Sequence, residues 1–252
     1  MPEIRIEEHG RHIAVVTLVN EARRNAMTRA MMADLARLWD DLEASDHRCV
    51  VLTGAGERGF CAGADVSGDL SAAPEMAAMI GKGLLKTHVF PKPIVAAVNG
   101  DCVAGGVELM LSTDIRYAAP HARFGLPEVR LSIYPFGGAT VKLIHQIGYV
   151  HAMKLLLTAE LIDAATAARL DLVNEVIPAG ALMDRALATA ETIAANSPSA
   201  VQAVKRKIAT EIAEHARSQE AMEQAFGDAV RASPHFREGV AAFLEKRKPR
   251  YE

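Results

Sequence analysis

PIVAAVNGDCVAGGVELMLSTDIRYAA, residues 93–119, places a strand, a glycine turn, a short helix and a second strand in one continuous run. Ile94 to Val98 is an unbroken apolar segment of strand length, set off by Pro91-Lys92-Pro93. It ends at the turn pair Asn99-Gly100, and Ala104-Gly105-Gly106 bends the chain into a helix. That helix carries Glu108 among Val107, Leu109, Met110 and Leu111, and Asp114 to Ala118 reads as the next strand. A carboxylate in the first turn of an apolar helix is costly to bury. Glycines beside it let backbone N–H groups face a ligand. Glu108 could equally do no more than complement the helix dipole. The stretch alone leaves both readings open.

The rest of the chain narrows the class of protein. With 252 residues, 50% hydrophobic and 23% charged, it has material for one large domain with an ample core. A net charge of -3 gives no general basis for binding nucleic acid or an anionic membrane. No apolar run reaches the length of a membrane span, and MPEIRIEEHGRH at the start lacks a signal-peptide core. Cys49, Cys61 and Cys102 have neither the number nor the spacing of a disulfide framework or zinc site. The nine histidines show no paired-ligand spacing, so no metal is expected, and a reducing cytoplasm is the expected location.

Outward from the central stretch, Ile4–Ile6 and Ile13–Leu18 read as strands joined by His9-Gly10-Arg11. Thr28 is placed to cap a helix whose Met31, Leu35, Leu38, Trp39 and Leu42 fall at helical spacing, with Trp39 in the core. Cys49–Thr53 is a short buried strand. Arg58 to Asp65 (RGFCAGAD) is a small-residue loop after it, able to present backbone donors to a negatively charged oxygen or to make an ordinary tight turn. Residues 66–87 are alanine-rich, helix-compatible and weakly patterned, which points to mobility. Strand–helix alternation lasts to about Ile177, giving an α/β body over residues 1–178. Residues 179–252 read as a helical region, with separate helices over 181–195, 199–216 and 237–246.

Taken together, FCAGAD, PIVAAVNG followed by GGVEL, FGLPEVRL with a glycine-rich segment behind it, and the ending AAFLEKRKP resemble the enoyl-CoA hydratase/isomerase (crotonase) family. The resemblance spans essentially the whole chain. It implies a crotonase-like ββα spiral core with a C-terminal helical trimerisation region, assembled as a trimer or a dimer of trimers. It also implies an acyl-CoA thioester as substrate, no separate cofactor, and an oxyanion hole made by the backbone N–H groups of Ala64 and Gly105. Two fixed amides, one at a helix mouth, would stabilise the charge that develops on a thioester oxygen. Hydratase-type members use two glutamates, and Glu108 and Glu128 match them. Glu108 is assigned as the base that activates water and Glu128 as the acid that delivers the α-proton. Ala62, Asp65 and Phe136 are expected at the substrate, and Arg24, Phe243 and Lys246 along the CoA path.

Several positions depart from the family pattern. Phe136, after Tyr134-Pro135, stands where many hydratases have a small residue, and is expected to narrow the acyl pocket or shift an amide near the water. Asp101-Cys102 replaces an aromatic and a small residue. Asp171 stands where Gly is frequent. The reading is reversible hydration of a trans-2-enoyl-CoA to a 3-hydroxyacyl-CoA. An enoyl-CoA isomerase or specialised acyl-CoA dehydratase on the same scaffold is the nearest alternative. A catalytically silent acyl-CoA-binding scaffold subunit is a further one, disfavoured because both glutamates are present.

Overall fold

The computed structural model describes residues 1–65, 74–245 and 247–251. The expectations for residues 66–73 and for Lys246 lie outside the described residues. In chain order the elements are β1 (Glu3–His9), β2 (Ile13–Val19), α1 (Arg29–Ala44), β3 (Cys49–Gly54), β4 (Gly59–Cys61) and α2 (Pro74–Gly83). There follow β5 (Ile94–Val98), β6 (Asp101–Val103), α3 (Gly105–Met110), β7 (Ile115–Ala118), β8 (Arg123–Gly125), α4 (Ala139–Ile147) and α5 (Tyr149–Thr158). The chain then continues through β9 (Ile162–Asp163), α6 (Ala164–Arg169), β10 (Glu175–Val176), α7 (Leu182–Ala195), α8 (Pro198–Ala232) and α9 (Pro234–Leu244).

Two sheets organise these elements. The larger runs β1-β2-β3-β5-β7-β10, antiparallel at the β1–β2 hairpin and parallel from β2 onward. Strand side chains alternate between faces, and both faces of the central strands are buried. Val50 and Leu52 of β3 point into the main core with Leu35, Trp39 and Phe60. Cys49 and Val51 point the other way, toward a stripe of α7 spaced one turn apart, Leu182, Ala186, Ala190 and Ala194. The helix α7 is thus packed on the sheet. α1 begins as expected, where the Met31 N–H donates to Thr28 Oγ1 at 3.2 Å. Trp39 is fully buried, and its indole N–H donates to the Gly83 carbonyl at 2.9 Å.

The smaller sheet, β4-β6-β8-β9, aligns three short parallel strands side by side, with β9 antiparallel at the edge. Just beyond the C-terminal end of β4 lies Ala64, beyond β6 lies Gly105, and beyond β8 lies Glu128. Parallel neighbours end on the same side, so three segments far apart in sequence meet at one edge. The helical tail differs from the expectation in one respect. α8 runs unbroken for 35 residues, past Ala216 to Ala232, because residues 217–232 contain no proline to stop it. Ser233 caps the break before α9, where the Phe236 N–H donates to its Oγ.

Candidate active site

The first wall of the site is backbone. Met27 and Ala64 form an isolated parallel bridge in which the Met27 N–H donates to the Gly63 carbonyl and the Asp65 N–H to the Met27 carbonyl, both at 2.8 Å. These bonds use the groups on either side of Ala64, so the Ala64 N–H points away from Met27, as alternation along an extended chain requires. Opposite it, Ala104 holds φ +54° and ψ -128° at the mouth of α3, an uncommon conformation for a residue with a Cβ. A Cβ built on the following residue, Gly105, would lie 3.8 Å from the Ala64 nitrogen. The Ala64 nitrogen and Gly105 therefore lie side by side at the mouth of α3. Gly106 cannot be anything larger, since a Cβ there would fall 2.1 Å from the Cys61 carbonyl oxygen.

The second wall is carboxylic. Glu108 is buried, and its Oε1 accepts the Ala139 N–H, the first amide of α4, at 3.3 Å. The Gly137 amide also stabilises it, while Lys86 and Lys142 place positive charge nearby. Burial dominates all the same and raises Glu108 above the ordinary carboxylate range. Glu128 is buried in the turn after β8, and its Oε2 has no hydrogen-bond partner among the described residues. Burial first, and the Glu108 carboxylate second, push Glu128 up to about 8. The two glutamates thus lie within electrostatic reach of each other but in unlike surroundings: Glu108 accepts from α4 and has two lysines nearby, whereas Glu128 Oε2 has no hydrogen-bond partner among the described residues. Behind them Lys142 is fully enclosed, donating to the Leu85 carbonyl at 2.6 Å and to Ser112 Oγ at 2.7 Å, and burial draws it down to about 7.

The remaining expected residues have varied placements. Ala62 is half-buried, its N–H bonded to the Arg24 carbonyl at 3.1 Å. The half-buried Asp65 accepts from Arg23 Nη1 at 3.1 Å. Arg24 donates through Nη1 to Asp101 Oδ2 at 2.7 Å, and Arg123 grips both oxygens of the same carboxylate at 2.9 and 2.8 Å. Asp101 is therefore a clamp for two arginines, with its carboxyl held below the usual range chiefly by Arg123. This use of Asp101 was not apparent in the sequence, where it registered only as a departure. Phe136 packs on Tyr134 (ring centroids 5.1 Å apart), lies 4.7 Å under the Arg231 guanidinium, and leaves no room for a side chain at Gly227 of α8. Its geometry is that of a seat for α8. Phe243 is exposed on α9, a helix whose Gly239 packs against the Leu131 carbonyl in the turn that carries Glu128.

A cavity of about 780 Å³ lies between the first half of α8 and the sheet, and neither glutamate lines it. The two glutamates instead lie by the meeting edge of β4, β6 and β8.

Comparison with known proteins converges on one group. The family model described as enoyl-CoA hydratase/isomerase matches residues 8–252. The enoyl-CoA hydratase EchA19 of Mycobacterium tuberculosis is 38% identical over 259 residues, covering 100% of this chain and 97% of that protein. A short-chain-enoyl-CoA hydratase of Clostridium acetobutylicum is 37% identical over 96% of this chain and 95% of its own length. Among solved structures, EchA1_1 of Mycobacterium paratuberculosis superposes with a TM-score of 0.90 at 34% identity, covering 100% of this chain and 99% of that one.

Proposed function

We propose that this chain, which belongs to the enoyl-CoA hydratase/isomerase family, adds water reversibly across the double bond of a trans-2-enoyl-CoA thioester to give a 3-hydroxyacyl-CoA. The observation that carries the reading is the unlike setting of the two buried glutamates. Glu108 accepts the first N–H of α4 and is flanked by two lysines, which favours its charged form; Glu128 has an unpartnered oxygen, which favours its neutral form. An ionised Glu108 takes a proton from the attacking water. A protonated Glu128 gives one to the α-carbon, and the enolate oxygen formed in between rests on the amides of Ala64 and Gly105. Carbon and oxygen undergo no net redox change in this addition. The proposal includes no cofactor, and CoA enters as part of the substrate.

Arg24, half of whose side chain is exposed beside the Asp101 clamp, is proposed to face the CoA phosphates, with Phe243 of α9 and the basic residue Lys246 also contributing. Exposed Met222, Phe226, Phe243 and Leu244 support an assembled state, for which we propose a trimer or dimer of trimers. No helix of the described residues is long and apolar enough to cross a membrane, and the three cysteines are free and buried. A cytoplasmic enzyme is consistent with both. Matched assays with 2-enoyl- and 3-enoyl-CoA esters test the reaction class. Formation of 3-hydroxyacyl-CoA from the 2-enoyl ester is expected, and double-bond migration without hydration would replace the proposal with an isomerase.

A further inference from the structure

Three residues one turn apart on α8, Glu223, Gly227 and Arg231, face the segment that leads into α4. Gly227 and Arg231 hold Phe136. Glu223 does something chemically different. It is a buried carboxylate whose Oε2 lies 2.8 Å from Lys86 Nζ, with both side chains less than a tenth exposed. Its Oε1 accepts from the Thr140 hydroxyl and lies 3.5 Å from the Tyr134 hydroxyl. Thr140 follows Ala139, the residue whose N–H holds Glu108, and Lys86 is one of the two cations that face Glu108. One carboxylate on α8 therefore pairs with a cation that faces Glu108 and bonds the residue next to the amide that holds it.

We propose that Glu223 is a positioning residue for Glu108, setting the net positive charge behind it and the orientation of the α4 N-terminus that holds it. The groups facing Glu108 are Lys86 from the segment before β5, Lys142 from α4, Glu128 from the turn after β8, and Tyr134 from the segment before α4. Lys142 is bonded to neutral oxygens of Leu85 and Ser112, whereas Lys86 has a carboxylate partner. Removing the Glu223 charge uncovers Lys86 and strengthens the field favouring ionised Glu108. Removing Lys86 does the reverse. A pair that served only as a strut would loosen the site in the same way whichever partner was lost.

The inference rests on the hydratase reading for its consequence in catalysis, so its test is made without substrate. In an E128Q background a single carboxyl remains at the site. Its titration is followed by the infrared carbonyl band of the protonated acid, assigned by its absence from E108Q/E128Q. Adding E223Q, which keeps an acceptor for Thr140, is expected to lower the Glu108 midpoint by about one pH unit. K86M is expected to raise it by a similar amount, and K86R to leave it in place. Should E223Q fail to fold, the contrast between K86M and K86R reads the same charge. Unchanged midpoints, or shifts of E223Q and K86M in the same direction, would overturn the role of Glu223. Opposite shifts in a protein that hydrates no enoyl-CoA would keep that role and overturn the hydratase reading; hydration with unshifted midpoints would do the converse.

Discussion

Gly137 lies directly against the Glu108 carboxylate: a Cβ on Gly137 would sit 2.3 Å from Oε2 and 2.5 Å from Cδ. The glycine is what allows the backbone before α4 to close around that carboxylate and offer it amides. G137A is therefore expected to push Glu108 off its position and lower kcat by about 100-fold, the scale set by a displacement near 1 Å. Thermal unfolding and binding of a non-reactive acyl-CoA should change little by comparison. Near-normal kcat in G137A would show that Glu108 tolerates movement.

Glu128 carries a pH signature of the same sense in activity and stability. As the acid, it must be protonated, so kcat is expected to fall as pH rises through about 8. Its folded-state value lies above that of an exposed glutamate. The stability linked to it is therefore complete below the unfolded value of 4.5 and lost as pH rises through about 8. E128Q removes that loss. Its melting temperature should exceed wild type by several degrees at pH 9, at about 2–4 °C per kcal/mol, and approach it at pH 5. A difference independent of pH would mean Glu128 does not titrate in this range.

Ala104 is held at φ +54° beside the Gly105 amide. Glycine adopts that conformation without the Cβ penalty, and relief of about 1–3 kcal/mol exceeds the added chain entropy of about 0.5–1 kcal/mol. A104G is expected to raise the melting temperature by a few degrees while kcat stays within a few-fold. A fall in melting temperature would show that Ala104 is not strained.

Phe136 was expected to narrow the acyl pocket or shift an amide near the water; its ring lies on Gly227 and beneath Arg231. F136A should loosen α8 and destabilise the protein by about 1–3 kcal/mol, less than a fully buried Phe would cost. Relative rates on short and long enoyl-CoAs are expected to stay in the wild-type order. A reversal of chain-length preference would return Phe136 to the acyl pocket.

Much of this arrangement was legible before the structure. Glu108 stood out as a carboxylate in the first turn of an apolar helix, while Ala64 and Gly105 were implied only by the resemblance to the family. The α1 cap at Thr28 and the burial of Trp39 followed from local pattern. Long-range pairing was not legible. Nothing near Lys86 in the chain points to Glu223, and a Glu in a polar helix reads as solvated until the helix folds back. The available signal was Gly227, a helix-weakening residue inside a long helix, one turn from Glu223, where close approach to another segment is the usual reason. Asp101 was similarly opaque, since Arg123 reaches it only when β6 pairs with β8, and Arg24, packed against Gly59, only when β6 pairs with β4.

The most direct test of the two-glutamate account is loss of enone-thioester absorbance with crotonyl-CoA by wild type, E108Q and E128Q at equal, saturating protein–ligand occupancy. The account predicts hydration by wild type, a loss of about 10²–10⁴-fold in each variant, and ester binding within a few-fold of wild type in both. Hydration at near-wild-type rate by either variant, or none by a wild-type protein that binds the ester, would contradict it.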